Sequence, residues 1–351
     1  MSVIKTFMRK AFMNGVRYSG LSSACSPLLG GVGAILMLHH VRPEEGGAGL
    51  NRLLHIDPDF LDRLLDGLKR DGARFVSLDE VADRLKSGRT DERYLSVTLD
   101  DGYRDNLVHG APVFRAHDVP FTIYVSPGLT DGDADLWWEL LERIVEANDE
   151  VSFDTAHGRR TLASRTSRDK HRAYAALMQY GLTEIDEDEQ RAWTRAMCAR
   201  YGIDRDAHRR TELLAWHELQ RIQGEPLGTI GAHTMNHFQL ARLSRERAED
   251  EIVRSRDVLA ERLGTRPKHF AFPYGGPNAA GAREVEIARE AGFATAVTTR
   301  HGLLMPGHAG SMTALPRISV NGNFQRVSYV ETMLTGITVP AAHFGRTFVT
   351  V

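Results

Sequence analysis

Cysteine is almost missing from this chain. Its 351 residues hold two, Cys25 and Cys198, far apart and without a C-x-x-C spacing. That excludes a disulfide framework and a cysteine-based metal site, and it fits a reducing compartment. Charge of one sign is also missing: 44 basic residues face 46 acidic ones, a formal net charge of -2. A protein that binds by neutralising many phosphates is therefore not expected, and no nucleic-acid partner is read. Long apolar runs are lacking too. The best, Gly30 to Leu38, is too short to span a bilayer and reads as a buried strand. The apolar block at the N-terminus is broken by Arg9, Lys10 and Arg17 and does not make a signal peptide, so the cytoplasm is the expected compartment. Acidic side chains are absent from residues 1–43, where Ile4, Phe7, Met8, Ala11 and Phe12 fall at helical spacing beside basic residues. Two readings stand for this segment. It is a helix docked on the protein's own body, the more general outcome, or a basic amphipathic helix in peripheral contact with the inner face of an anionic membrane.

What is present is an ordinary globular composition, 42% hydrophobic and 26% charged, with a regular rhythm. Strand-like runs occur at 34–38, 75–78, 94–99, 121–125, 228–232, 269–272, 294–297 and 317–320. Between many of them lie helical patterns, for example 57–72 and 246–264, the latter ending on a glycine suited to a C-cap. Strands alternating with helices imply parallel strands joined by crossovers. The expected fold is α/β, a distorted (β/α) barrel of about seven to eight parallel strands. Residues from about 135 to 224 break the rhythm and read as a helical insertion in a barrel loop. The expected division is an N-terminal amphipathic segment over 1–33, the barrel with its insertion over 34–340, and a tail over 341–351.

The residues capable of chemistry stand just after the expected strands. His39 and His40 follow the first, Asp100 and Asp101 the one ending at Leu99, His233 the one ending at Ala232, and Pro273 and Tyr274 the run at 269–272. In a (β/α) barrel the carboxyl ends of the strands share one rim. His233 and His237 are four positions apart, one helical turn, so both imidazoles can face one atom; a metal is the natural occupant. Two histidines and an aspartate form a known catalytic zinc set. Such an ion would explain the like-charged pair Asp100–Asp101, one carboxylate binding the cation and the other staying free as a general base.

"TLDDG" (98–102), "HTMNH" (233–237) and "FPYG" (272–275) resemble, in the same order, the three leading motifs of the polysaccharide deacetylases, the NodB-homology group of carbohydrate esterase family four. The resemblance covers about residues 34–320. It implies a metal-dependent hydrolase that removes N-acetyl groups from an amino sugar in a polysaccharide, oligosaccharide or glycan precursor. Asp100 looks like the catalytic base, and Asp101, His233 and His237 look like ligands of a divalent ion, usually Zn2+. Attack by a metal-bound water follows from the resemblance, with the Tyr274 N–H holding the oxyanion and the ring of Tyr274, beside Pro273, lining the sugar groove. The acid histidine of the family's late motif has no good copy here. Some members carry it on the first strand, and by that alignment His39 is the acid, with His40 and His301 as alternatives. Where the family often places an arginine that orients the base, Ala271 stands; Arg317 is the candidate to supply that guanidinium. The paired tryptophans Trp137 and Trp138, in "DLWWELLER", are either a platform for a sugar ring or core. Two further readings stay open: a carbohydrate-binding relative with an impaired site, and a hydrolase of non-sugar C–N bonds on the same scaffold. An N-acetylated glycan is the expected partner and exopolysaccharide biosynthesis the expected setting.

Overall fold

The apolar runs become parallel strands because both of their faces are covered, which calls for near-continuous Val, Ile, Leu and Phe. The computed structural model describes residues 3–43, 49–90 and 92–351, with backbone alone for residues 3, 4 and 23. Seven strands close a barrel in chain order: β1 (Gly33–Leu38), β2 (Tyr94–Leu99), β3 (Phe121–Val125), β4 (Gly228–Ala232), β5 (His269–Ala271), β6 (Thr295–His301) and β7 (Leu315–Ser319). β7 pairs back onto β1, Leu36 facing Ile318, and β1 lies in register with β2 from Gly33–Tyr94 to Leu38–Leu99. The fold is thus a distorted (β/α) barrel with one extra strand.

That extra strand corrects one expectation. Residues 75–78 do not form a strand; Arg74–Phe75 pairs with β2 outside the ring, and a helix starts at Leu78. Ser77 is the reason, because its side chain accepts from the Glu80 N–H and caps that helix. The two helices read from periodicity occur at Pro58–Arg70, capped by Asp57, and at Arg245–Leu263, closed by Gly264 in a left-handed conformation.

Along the strands, side chains alternate between two cores. Ile35, Tyr94, Tyr124, Ala271, Val297 and Leu315 fill the barrel, while Leu36, Leu38, Val97 and Leu99 meet the surrounding helices. The insertion between β3 and β4 has a third core, built on Trp137, Leu141, Phe153, Leu177 and Met197. It is not wholly helical. An antiparallel hairpin, Glu150–Thr155 with Gly158–Ala163, sits among its helices. Its second strand is almost entirely exposed, so no apolar alternation marks it in the sequence.

Candidate active site

The register places the site. With Leu38 opposite Leu99 and Val125 opposite Ala232, the residues that follow all emerge at one end of the barrel. Asp100 still donates its N–H to the Leu38 carbonyl, 3.0 Å, so it continues β2. Asp101 then turns to φ 74° and Gly102 to φ 72°. This left-handed step sends the two adjacent carboxylates in different directions. Thr234, His237 and Tyr274 are left-handed too, at φ 61°, 58° and 60°. Of the six non-glycine residues with positive φ among those described, four belong to this site. Each costs on the order of 1 kcal/mol or more, and persists only where surrounding structure enforces it.

His233 and His237 are not on a helix. The segment from 233 to 239 is irregular, and their ring centroids come within 5.0 Å because Thr234 and His237 reverse the chain. The Thr234 hydroxyl accepts the His237 N–H, and Glu251, from the helix Arg245–Leu263, accepts two bonds from Asn236. The spacing of four thus meets at one atom by a route other than the one expected.

Asp101 Oδ1 lies 3.1 Å from His237 Nε2 and 3.4 Å from His233 Nε2. All three residues are buried, and their ligand atoms lie within 4.8 Å of one another. Asp101 Oδ1 receives no hydrogen bond, and His237 Nδ1 has no partner. His233 Nδ1 donates to the Ala271 carbonyl at 2.7 Å, which turns Nε2 toward Asp101. Burial opposes the Asp101 charge, but the two imidazoles hold its carboxyl well below the usual carboxylate range. Burial lowers the His237 pKa, favouring the neutral ligand form. One carboxylate oxygen and two imidazole nitrogens, one orphaned oxygen among them, fit a divalent ion such as zinc.

Asp100 is held differently. Both its oxygens accept from Arg317, at 2.7 Å each, and Arg317 also donates to the Thr298 carbonyl and to Thr98 Oγ1. Burial would raise the Asp100 pKa; the guanidinium charge and its two bonds win, and the carboxyl stays below its ordinary value. Arg317 is fully buried. It therefore holds Asp100 in place and offers no surface to a substrate. Arg317→Met is expected to destabilise the fold by about 3–5 kcal/mol at pH 7, because a buried carboxylate loses its partner. The Asp100 contribution exists above the ordinary carboxylate range and is lost as pH falls through its depressed folded-state value. In the variant the buried carboxylate without its guanidinium takes up a proton at higher pH than in the parent, so urea titrations at pH 7 and pH 4 should show the gap between parent and variant narrowing in acid.

The three acid candidates separate cleanly. His39 Nε2 is 3.9 Å from Asp100 Oδ2, and its side chain is 19% exposed. Burial lowers its pKa, with Asp100 and Asp101 pulling the other way. His40 is fully buried, with Nδ1 2.7 Å from Asp105 and Nε2 2.8 Å from Glu139, so both nitrogens are committed. His301 gives its Nε2 to Thr338 Oγ1 on the outside of the barrel. Only His39 has its ring beside the carboxylate pair.

The buried network around His40 had no signal in the sequence beyond the doubled histidine. Glu139 comes from the insertion and also faces His208, Nε2 to Oε2 3.0 Å, so this network ties the insertion to the end of β1. Burial pulls the His40 pKa down, but Asp105 and Glu139 push it up to about 9. A raised folded-state pKa means stability that is complete below pH 6.5 and is lost as pH rises through about 9. The parent should lose about 3 kcal/mol of unfolding free energy across that window, and His40→Asn should flatten the slope.

Tyr274 and the paired tryptophans close one side. The Tyr274 carbonyl accepts from Thr299 Oγ1, and its N–H has no acceptor among the described residues. Gly275 has to be glycine, since a Cβ there would lie 2.5 Å from the Thr299 nitrogen. Pro273 is buried beneath the turn. Trp137 is also fully buried and donates its indole N–H to the Tyr274 hydroxyl, 3.0 Å. In this conformation it braces Tyr274 and offers no face to a sugar. Its neighbour Trp138 packs 4.9 Å from the His237 ring and donates to Tyr103 Oη, 3.1 Å. The sequence offers both rings alike, because neighbouring positions on a buried helix do not show which one reaches the site.

A family model described as polysaccharide deacetylase matches residues 87–202 and 187–296, together more than half of the chain. No curated protein matches by sequence. Among solved structures, a de-N-acetylase from Aggregatibacter actinomycetemcomitans is similar at TM-score 0.56 and 14% identity, over 86% of this chain and 99% of that one. The Streptococcus pyogenes deacetylase PplD, in complex with acetate, gives 0.55 and 18%, over 86% and 97%. IcaB from Ammonifex degensii gives 0.54 and 18%, again over 86% and 97%. At such identities the likeness is one of fold.

Proposed function

Since the chain belongs to the polysaccharide deacetylase family, we propose that it is a metal-dependent hydrolase that removes N-acetyl groups from an amino sugar in a glycan or glycan precursor. The observation that carries this reading is the placement of Asp100, locked by Arg317, directly beside the cluster Asp101, His233 and His237. Two adjacent carboxylates are given opposite tasks by their surroundings: one faces a guanidinium, the other a pair of imidazoles.

A divalent ion, with zinc the proposed species, would be held by Asp101, His233 and His237, and would supply Lewis acidity toward water and the acetyl carbonyl. The remaining work falls to the chain. Asp100, kept ionised and fixed in direction by two charge-assisted bonds, accepts the proton of the attacking water. The Tyr274 N–H, turned out by its left-handed φ, donates to the oxygen that gains charge as the carbonyl carbon becomes tetrahedral. His39 then delivers a proton to the departing amine nitrogen, which would otherwise be too basic to leave. Arg317 moves no proton; it keeps Asp100 from rotating and keeps it ionised until the water proton is transferred.

Acetate release from chito-oligosaccharides tests this reading. Release that stops with chelator and returns with zinc is the expected result. Silence on every N-acetylated glycan offered, by protein that binds zinc, would overturn it. His39→Gln should lower kcat by about 10²–10⁴-fold, and less for a substrate whose leaving amine is more acidic. Equal losses on both substrates would remove His39 from the acid role.

A further inference from the structure

The helix Val3–Tyr18 meets the protein through one face only. Met13 and Val16 are buried, Arg17 pairs with Glu331 at 2.6 Å on the helix Val327–Leu334, and Lys10 lies over the Phe324 ring. The expectation of a helix docked on its own body holds for that face. It is not the face expected to be apolar. Phe7, Met8 and Phe12 point away from the barrel, 71%, 65% and 43% exposed, and on the next helix, Leu21–Leu29, Leu28 is exposed as well. Of Ile4 only the backbone is described. Among the described residues ten large hydrophobic side chains are exposed, and six of them fall between positions 7 and 28. Single exposed apolar residues are ordinary; a cluster that holds most of a protein's exposed large side chains marks an interaction surface.

Charge says what covers it. Residues 1–43 contain no Asp or Glu. Lys5 and Arg9 are exposed and, by their helical spacing, lie at the border between the outward Met8 and Phe12 and the docked Met13 and Val16. A second copy of the chain docked through this face would bring like cations together. An anionic surface would not.

We propose that this face, Phe7, Met8 and Phe12 with Lys5 and Arg9, docks on a lipid bilayer that carries anionic headgroups. The apolar side chains enter the interface and the basic ones meet the headgroup charge, with Met13 and Val16 holding the helix on the barrel. The proposal rests on the surface alone and is independent of the reaction assigned to the barrel.

The test is co-sedimentation of the full chain with vesicles of phosphatidylcholine alone, or with about one third phosphatidylglycerol. The parent should pellet with the anionic vesicles and much less with the neutral ones, and added salt should release it in part. The triple variant Phe7→Gln, Met8→Gln, Phe12→Gln should lose roughly tenfold or more in partitioning while its melting temperature stays at the parental value. Gln keeps helix propensity, so a fall in binding would not come from a melted helix. Asp100→Asn should bind vesicles like the parent, which separates this result from any failure of the hydrolase reading. A parent that stays in the supernatant with anionic vesicles, or a triple variant that still binds, overturns the proposal. So does a parental dimer in solution that the triple variant turns into a monomer, because the occupant would then be a second copy.

Discussion

Asp100→Asn is expected to lower kcat for acetate release by about 10²–10⁴-fold, the usual worth of a positioned proton acceptor. The amide keeps the shape of the carboxylate and can still accept from Arg317, but it cannot take the proton of water. The same change leaves the Arg317 guanidinium buried without a counter-charge, so a stability loss of up to about 3–5 kcal/mol should accompany it. The two effects are separable. Kinetics measured well below the variant's melting temperature report the base, and urea titration reports the ion pair. Zinc binding, followed by the rise in melting temperature on adding the ion, should survive, since Asp101, His233 and His237 are untouched. A variant with near-parental kcat would place the base elsewhere.

Asp101→Asn should have the larger effect on activity, taking acetate release to background whatever zinc is added. Its Oδ1 is the buried oxygen that no donor satisfies, with the two imidazole nitrogens at 3.1 and 3.4 Å. Replacing the carboxylate by an amide removes the negative member of the set and leaves a weaker ligand. Binding should show this without any turnover. Zinc at 100 times its dissociation constant stabilises the parent by about 2.7 kcal/mol through mass action, and this gain should vanish in the variant. If Asp101→Asn keeps the thermal shift and metal content of the parent, Asp101 is not a ligand and the proposed chemistry fails with it.

The alternation of strand and helix, the cap at Gly264, and the order of the three motifs were all legible from residue type, because each depends on neighbours within one or two turns. Where that local reading erred, a competing local signal was present, as at Ser77, whose hydroxyl starts a helix inside an apolar run. In the insertion the run 151–154 offers a strand, but its partner Gly158–Ala163 stayed hidden for a different reason: it is largely solvated and carries no periodic pattern to read.

The site shows the same division at finer scale. Sequence by itself determined which groups exist and that they follow strands: an aspartate pair, two histidines at a spacing of four, a tyrosine in a tight turn, and an arginine with no motif around it. Tertiary structure decided what each one faces. It set Asp101, Thr234, His237 and Tyr274 in left-handed backbone, which no propensity predicts because surrounding contacts must enforce it. It brought Arg317 from β7 onto Asp100 across the closed barrel, buried His40 between Asp105 and Glu139 while leaving His39 beside Asp100, and turned the apolar stripe of the first helix outward. Roles in a site depend on charge and burial, and those are properties of residues 65 to 217 positions apart in sequence that only the closed fold brings within hydrogen-bonding distance.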